Sequence, residues 1–178
     1  MATQKELKAA VKAAKATPDD AAVWDTLESL AAALDRPDGV ADAYQKVLNK
    51  DLETATILEI GERAAQFCEE WFGDQPERLE GVLLRVLEVD PKSEWALQRL
   101  TVVYTVAQRW NDLLALYDRA TDAVDDQSRK IQLLEEASQV AKDVAGQPEK
   151  AIDYLQKLQP LRPHDNKLAQ SLERLLER

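Results

Sequence analysis

Residues 20–48 read DAAVWDTLESLAAALDRPDGVADAYQKVL, and this stretch decides the fold. Val23, Trp24, Leu27, Leu30, Ala31 and Leu34 recur at gaps of one, three and four, which gathers them on one side of a helix over 20–34. Asp20 stands just before that helix and two residues after Pro18, where its carboxylate can accept from unpaired first-turn amides. Arg36-Pro37-Asp38 interrupts the pattern, and Val40, Ala43, Tyr44 and Val47 resume the same period over 38–50. So short a break makes the two helices antiparallel neighbours. Such a pair exposes an apolar face that only a further helix can cover.

The rest of the chain supplies those helices. The same periodicity predicts helices over 4–16, 54–72, 77–89, 93–108, 111–124, 128–145, 149–159 and 165–178, ten in all. Pro91 followed by Ser93 and Pro163 followed by Asp165 repeat the start signal of Pro18 and Asp20, while Thr54 and Ser128 are placed to open the two longest helices. Runs alternating between apolar and polar residues are absent, and glycine and proline fall between the periodic segments. The expected class is all-α.

Sliding the chain on itself reveals a repeat. At a shift of 73, Leu27 meets Leu100, Val40 meets Leu113, Tyr44 meets Tyr117, Glu62 meets Glu135, Ala64 meets Ala137 and Gly73 meets Gly146. Beyond that glycine the shift is 72, and Pro76 meets Pro148, Pro91 meets Pro163 and Leu100 meets Leu172. The one-residue difference lies in the loops Gly73-Asp74-Gln75-Pro76 and Gly146-Gln147-Pro148. Residues 20–92 and 93–164 therefore read as two copies of a four-helix unit. Each divides again into helix pairs of 34 or slightly more residues, anchored at Val40, Leu79, Leu113 and Ala151. Residues 1–19 and 165–178 read as capping helices, each with a single apolar stripe: Leu7, Ala10, Val11 and Ala14 in the first, and Leu168, Leu172, Leu175 and Leu176 in the last. One repeat domain over 1–178 is expected, with the array ending where the chain ends.

Trp24, Leu27, Val40, Tyr44 and the run Tyr44-Gln45-Lys46-Val47-Leu48 resemble the tetratricopeptide repeat family and its half-repeat relatives. Val89-Asp90-Pro91 and Leu161-Arg162-Pro163 match its late proline. The chain departs from the pattern at Glu28 and Thr101, where the family has a small residue, and at Leu52, where it has proline. The resemblance implies an α–α superhelix, a solenoid of antiparallel helix pairs whose first helices line a concave groove. Carried over, its groove positions are Ala22, Asp25, Ser29, Ala32 and Ala33 in the first module and Trp95, Gln98, Val102, Thr105 and Val106 in the third. Of these, Asp25, Ser29, Trp95, Gln98, Val102, Thr105 and Val106 are the candidate protein-binding residues. Trp24, Trp71 and Trp110 are assigned to the core. The family's carboxylate clamp, which takes Lys, Arg and Asn from first helices, is not expected, because Asn49, Asn111 and Asn166 lie outside them.

Composition narrows the function. The chain has 178 residues, 23 basic against 33 acidic and a net charge of −10, which disfavours nucleic acid. No apolar run is long enough to span a bilayer and no signal-like segment opens the chain, so membrane insertion is not expected and the default location is cytoplasmic. Lys5, Lys8, Lys12 and Lys15 form the one basic face, with little but alanine opposite, and read as a solvated capping surface. His164 reads as a turn residue and Cys68 as a small buried one; metal, cofactor and catalytic residues are all expected to be none. Adjacent acids such as Glu69-Glu70 and Glu135-Glu136 point about 100° apart on a helix, unlike carboxylates facing each other across a substrate. The expected function is a non-enzymatic scaffold or adaptor, monomeric, that holds a basic or amphipathic segment of a partner protein. The alternatives are a helical regulatory subunit or framework of an enzyme, and an RNA-processing half-repeat scaffold.

Overall fold

Helices form where the periodicity places them, and residues 2–177, which the computed structural model describes, contain no strand. In order they are α1 (Gln4–Ala16), α2 (Ala21–Leu34), α3 (Asp38–Leu48), α4 (Thr54–Trp71), α5 (Pro76–Val89), α6 (Glu94–Val106), α7 (Trp110–Ala123), α8 (Gln127–Gln139), α9 (Pro148–Leu158) and α10 (Asn166–Leu176). Corresponding starts in the two halves are Ala21 and Glu94, Asp38 and Trp110, Thr54 and Gln127, and Pro76 and Pro148.

The caps follow from local chemistry. Asp20 accepts from the Ala22 amide at 3.0 Å, and Asp165 from the Lys167 and Leu168 amides at 3.0 and 3.1 Å. Thr3 and Glu6 form a reciprocal capping box on α1. Pro76 and Pro148 occupy first-turn positions, where a missing N–H leaves no bond unmade.

The structure corrects three local expectations. Ser128 does not open α8; Asp126 caps it, accepting from the Arg129 amide at 2.7 Å. The α-helical part of that segment stops at Gln139, and Val140–Val144 is a π-helical turn in which the Ala145 amide reaches Val140 O at 2.8 Å. Gly146 follows at φ +63, a left-handed conformation that favours glycine. The third correction is Trp71, which is 37% exposed and not a core residue. Trp24 is buried as expected, and Trp110 only partly so.

The chain divides into two compact units, Met1–Ala96 and Leu97–Arg178, with the division inside α6. In the first unit each helix packs on the next, and α1, α3 and α5 also pack on one another in a row. Trp24 stacks on Tyr44, ring centroids 4.2 Å apart and planes within 5°, and its Nε1–H donates to Pro18 O at 2.9 Å. Leu27, Val40, Val47 and Leu83 complete this core. Gly61 sets how closely α4 and α5 pack, since a Cβ there would lie 2.4 Å from Val86 Cγ2. In the second unit α7, α8, α9 and α10 pack in sequence order around Leu113, Leu133, Leu134 and Tyr154. Each fully buried side chain of this size contributes on the order of 1.5–3 kcal/mol. Of the α10 stripe, Leu175 is buried and Leu176 exposed. No helix is long and apolar enough to cross a membrane among the described residues.

Candidate functional site

Glu28 occupies a position where a small residue was expected, and its surroundings explain the carboxylate. It faces Tyr44 of α3 and Arg63 of α4. The Tyr44 hydroxyl donates to Glu28 Oε1. Arg63 Nε donates to Glu28 Oε1 at 2.9 Å and to Tyr44 Oη at 3.0 Å, and Nη2 donates to Glu28 Oε2 at 2.7 Å and to Asp25 Oδ1 at 2.6 Å. Burial, reinforced by the Glu28 carboxylate, holds the Tyr44 hydroxyl far above the usual phenol range. Hydrogen bonding to Glu28 holds Arg63 still more firmly protonated than a free guanidinium. This cluster ties α2, α3 and α4 together and uses the full fork of the arginine.

Above it lies an open cleft of about 480 Å³ lined by Glu28, Glu59, Glu62, Arg63, Gln66, Phe67 and Glu70. Ile57, Ile60, Ala64 and Phe67 turn α4 inward, so Glu59, Glu62, Gln66 and Glu70, at gaps of three and four, share its exposed side. Gln66 Nε2 donates to Glu70 Oε1 at 3.1 Å. Arg63 is committed to Glu28 and Asp25, and no described residue forms an ion pair with Glu59 or Glu62. The cleft is therefore strongly anionic. Trp71 follows at the end of α4, its ring 6.0 Å from that of Phe67.

The sequence-predicted residues fall in two places. Asp25 is exposed on α2 and bound to Arg63, beside this cleft, and Ser29 is exposed one turn further along α2. Gln98, Val102, Thr105 and Val106 share the outward side of α6, opposite Leu97, Leu100 and Tyr104; Val102 is 60% and Val106 79% exposed. The Thr105 hydroxyl donates to Thr101 O at 2.7 Å. Trp95 is half-buried near the start of the same helix. Sequence reasoning missed Glu59, Glu62, Arg63, Gln66 and Glu70. The available signal was the polar period Glu59-Glu62-Gln66-Glu70 interleaved with an apolar one, and the lone arginine within it.

Other polar clusters hold ion pairs of their own. In the second unit a cleft of about 440 Å³ contains Asp118, Lys150, Tyr154 and Lys157. There the two ammonium groups lie 3.1 and 3.9 Å from Asp118 and over the Tyr154 ring. Cys68 is buried, and burial pushes its thiol up to about 11, away from thiolate chemistry. His164 is exposed in its turn. No group of three or more His, Cys, Asp or Glu side chains that could hold a metal ion occurs among the described residues. No protein-family model matches the chain, and no curated protein matches it significantly.

Proposed function

We propose that this protein is a non-enzymatic interaction scaffold of the tetratricopeptide-like kind, holding a segment of a partner protein in the groove between α2 and α4. The observation that carries the reading is the groove itself: Glu59, Glu62 and Glu70 from one helix face, none of them bonded to Arg63, with the partly exposed Trp71 against the Phe67 ring that lines it. A surface of that sign attracts cationic side chains and repels phosphate backbones. It is ill suited to acid–base catalysis. Its carboxylates project the same way from one helix, and its arginine is bonded to two acids and a tyrosine. The lysine side of α1 is exposed, with Leu7, Ala10 and Ala14 turned inward, in keeping with a solvated capping helix.

The test is affinity capture from native lysate with the wild type and with the Glu59→Lys/Glu62→Lys variant in parallel, the retained proteins quantified by mass spectrometry. The expected result is one or a few proteins retained by the wild type and lost from the variant. Identical retention by both would remove the groove from the function.

A further inference from the structure

We propose that this groove selects a basic amphipathic helix, with Trp71 as the apolar anchor that its carboxylate stripe requires. The inference rests on the scaffold reading and specifies its partner. Glu59 to Glu70 spans about three turns, roughly 16 Å, so three carboxylates present a line that a helix with Lys or Arg one turn apart can follow.

Charge alone is not enough. Three exposed ion pairs strengthen an encounter by only on the order of tenfold, and salt screens them. That is too little to offset the freedom lost on docking, so a binding face needs a desolvated anchor. Trp71 is the exposed large apolar residue of α4, its ring 6.0 Å from that of Phe67, which lines the groove. It is 37% exposed at the end of α4, while Phe72, the next residue, turns inward and is covered by the Arg78 guanidinium 4.3 Å from its ring centroid. The inner packing at this helix end is therefore completed by Phe72, which leaves part of the Trp71 ring available to a ligand.

The same requirement decides the occupant. A second copy could offer Lys5, Lys8 and Lys12 of α1 at suitable spacing, but its larger apolar residue, Leu7, is buried inward. The exposed residues around those lysines are Glu6, Ala9 and Ala13, and Val11 is half-buried. The α1 helix of a second copy therefore offers no large exposed apolar side chain to cover Trp71. The fitting partner is a helix with two or three cations a turn apart and a large aliphatic or aromatic residue following them.

The probe is a fluorescein-labelled alanine-based peptide of roughly 18 residues, long enough to hold a helix, with three lysines one turn apart and a leucine one turn beyond. Companion peptides replace the lysines by glutamate, or the leucine by alanine. Anisotropy titrations use the full chain at about 50 and about 200 mM salt. We expect the lysine–leucine peptide to bind, more weakly at the higher salt. Its affinity should fall by about tenfold or more with Trp71→Ala, or with Glu59→Lys/Glu62→Lys, and be largely kept by Trp71→Phe. Unchanged melting of Trp71→Ala separates loss of binding from loss of fold. Equal affinity for Trp71→Ala, equal binding of the glutamate peptide, or no binding of the lysine–leucine peptide overturns the proposal. If the leucine-bearing glutamate peptide alone binds and needs Trp71, the basic partner is wrong while the groove reading stands. If the parallel lysate capture also shows no difference, both fall. A dimer in sedimentation velocity that Trp71→Ala abolishes would assign the groove to a second copy and likewise overturn it.

Discussion

Replacing Arg63 by methionine keeps most of the side-chain volume and removes every polar contact that the guanidinium makes in the α2–α3–α4 cluster. Glu28 and Arg63 are each 26% exposed, so their pair lies between a solvent-exposed bridge, worth under about 1 kcal/mol, and a buried one, where removing a single partner costs about 3–5 kcal/mol. Two near-parallel bonds to Glu28 and one to Tyr44 are lost, and Glu28 keeps only the tyrosine hydroxyl. The expected loss is about 2 kcal/mol, or a melting temperature lower by roughly 4–8 °C for a chain of this size. Asp25→Asn should change stability by less than about 0.5 kcal/mol, because that carboxylate is 68% exposed.

The decisive variant is Glu28→Leu with Arg63→Met. If the charges act as a unit, the double variant is less destabilised than the two single losses added, by about 1–2 kcal/mol, because neither charge is left without its partner. Urea unfolding of the four proteins, with calorimetry beside it, measures the cycle. Additive losses, or an Arg63→Met loss below about 0.5 kcal/mol, would refute the view that this cluster holds α2 to α4.

Two further outcomes are expected. Gly81→Ala, in the exposed middle of α5 with nothing within 4 Å of the added carbon, should stabilise by about 0.5–1 kcal/mol; Gly61→Ala should destabilise, because its methyl meets the stiff, buried Val86. Thermal melts of the two variants check this, and a stabilised Gly61→Ala would refute the close packing of α4 on α5. Burial raises the hydroxyls of Tyr44, Tyr117 and Tyr154, with Tyr117 pushed up to about 12. A raised folded value stabilises below the unfolded value of about 10 and is lost as pH rises past it, so stability should fall above about pH 10. Phenolate absorbance and far-UV dichroism followed together should show these tyrosines ionising only as helix is lost, and reversible ionisation near pH 10 with the helices intact would contradict it.

The helices were legible because each signal is local. Apolar gaps of three and four, and an aspartate two residues after a proline at Asp20 and Asp165, need no knowledge of neighbours. Trp71 was not legible. Its place in the Ile57, Ile60, Ala64, Phe67 progression points inward, but α4 ends there and Phe72 takes the inner position as the chain turns away. The π-helical turn at Val140–Val144 escaped for a related reason, since a widened turn alters hydrogen bonding without altering composition. The carboxylate stripe was visible as a period but its charge state was not. Whether Glu59 and Glu62 are neutralised depends on Arg63, which commits to Glu28, 35 residues earlier in the chain. On α6, Val102 and Val106 are exposed.

Glu28 also explains why the groove belongs to the first unit. Gly61 and Arg63 lie two residues apart, and so on nearly opposite sides of α4: one lets α5 approach closely, the other joins α4 to α2 through a guanidinium. The 73-residue shift puts Thr101 where Glu28 stands and Glu136 where Arg63 stands. The carboxylate has changed helix. Tyr117, the counterpart of Tyr44, is accordingly influenced by Glu136 from the other side, with a hydrogen bond involving Thr101. Glu135, which matches Glu62, is neutralised by Arg162. Both units thus give their tyrosine a polar partner, but in the first the arginine binds Glu28 and Asp25 and leaves Glu59 and Glu62 without an ion pair among the described residues. A cationic partner is attracted to Glu59 and Glu62, and that puts the proposed recognition on α4 and not on α8.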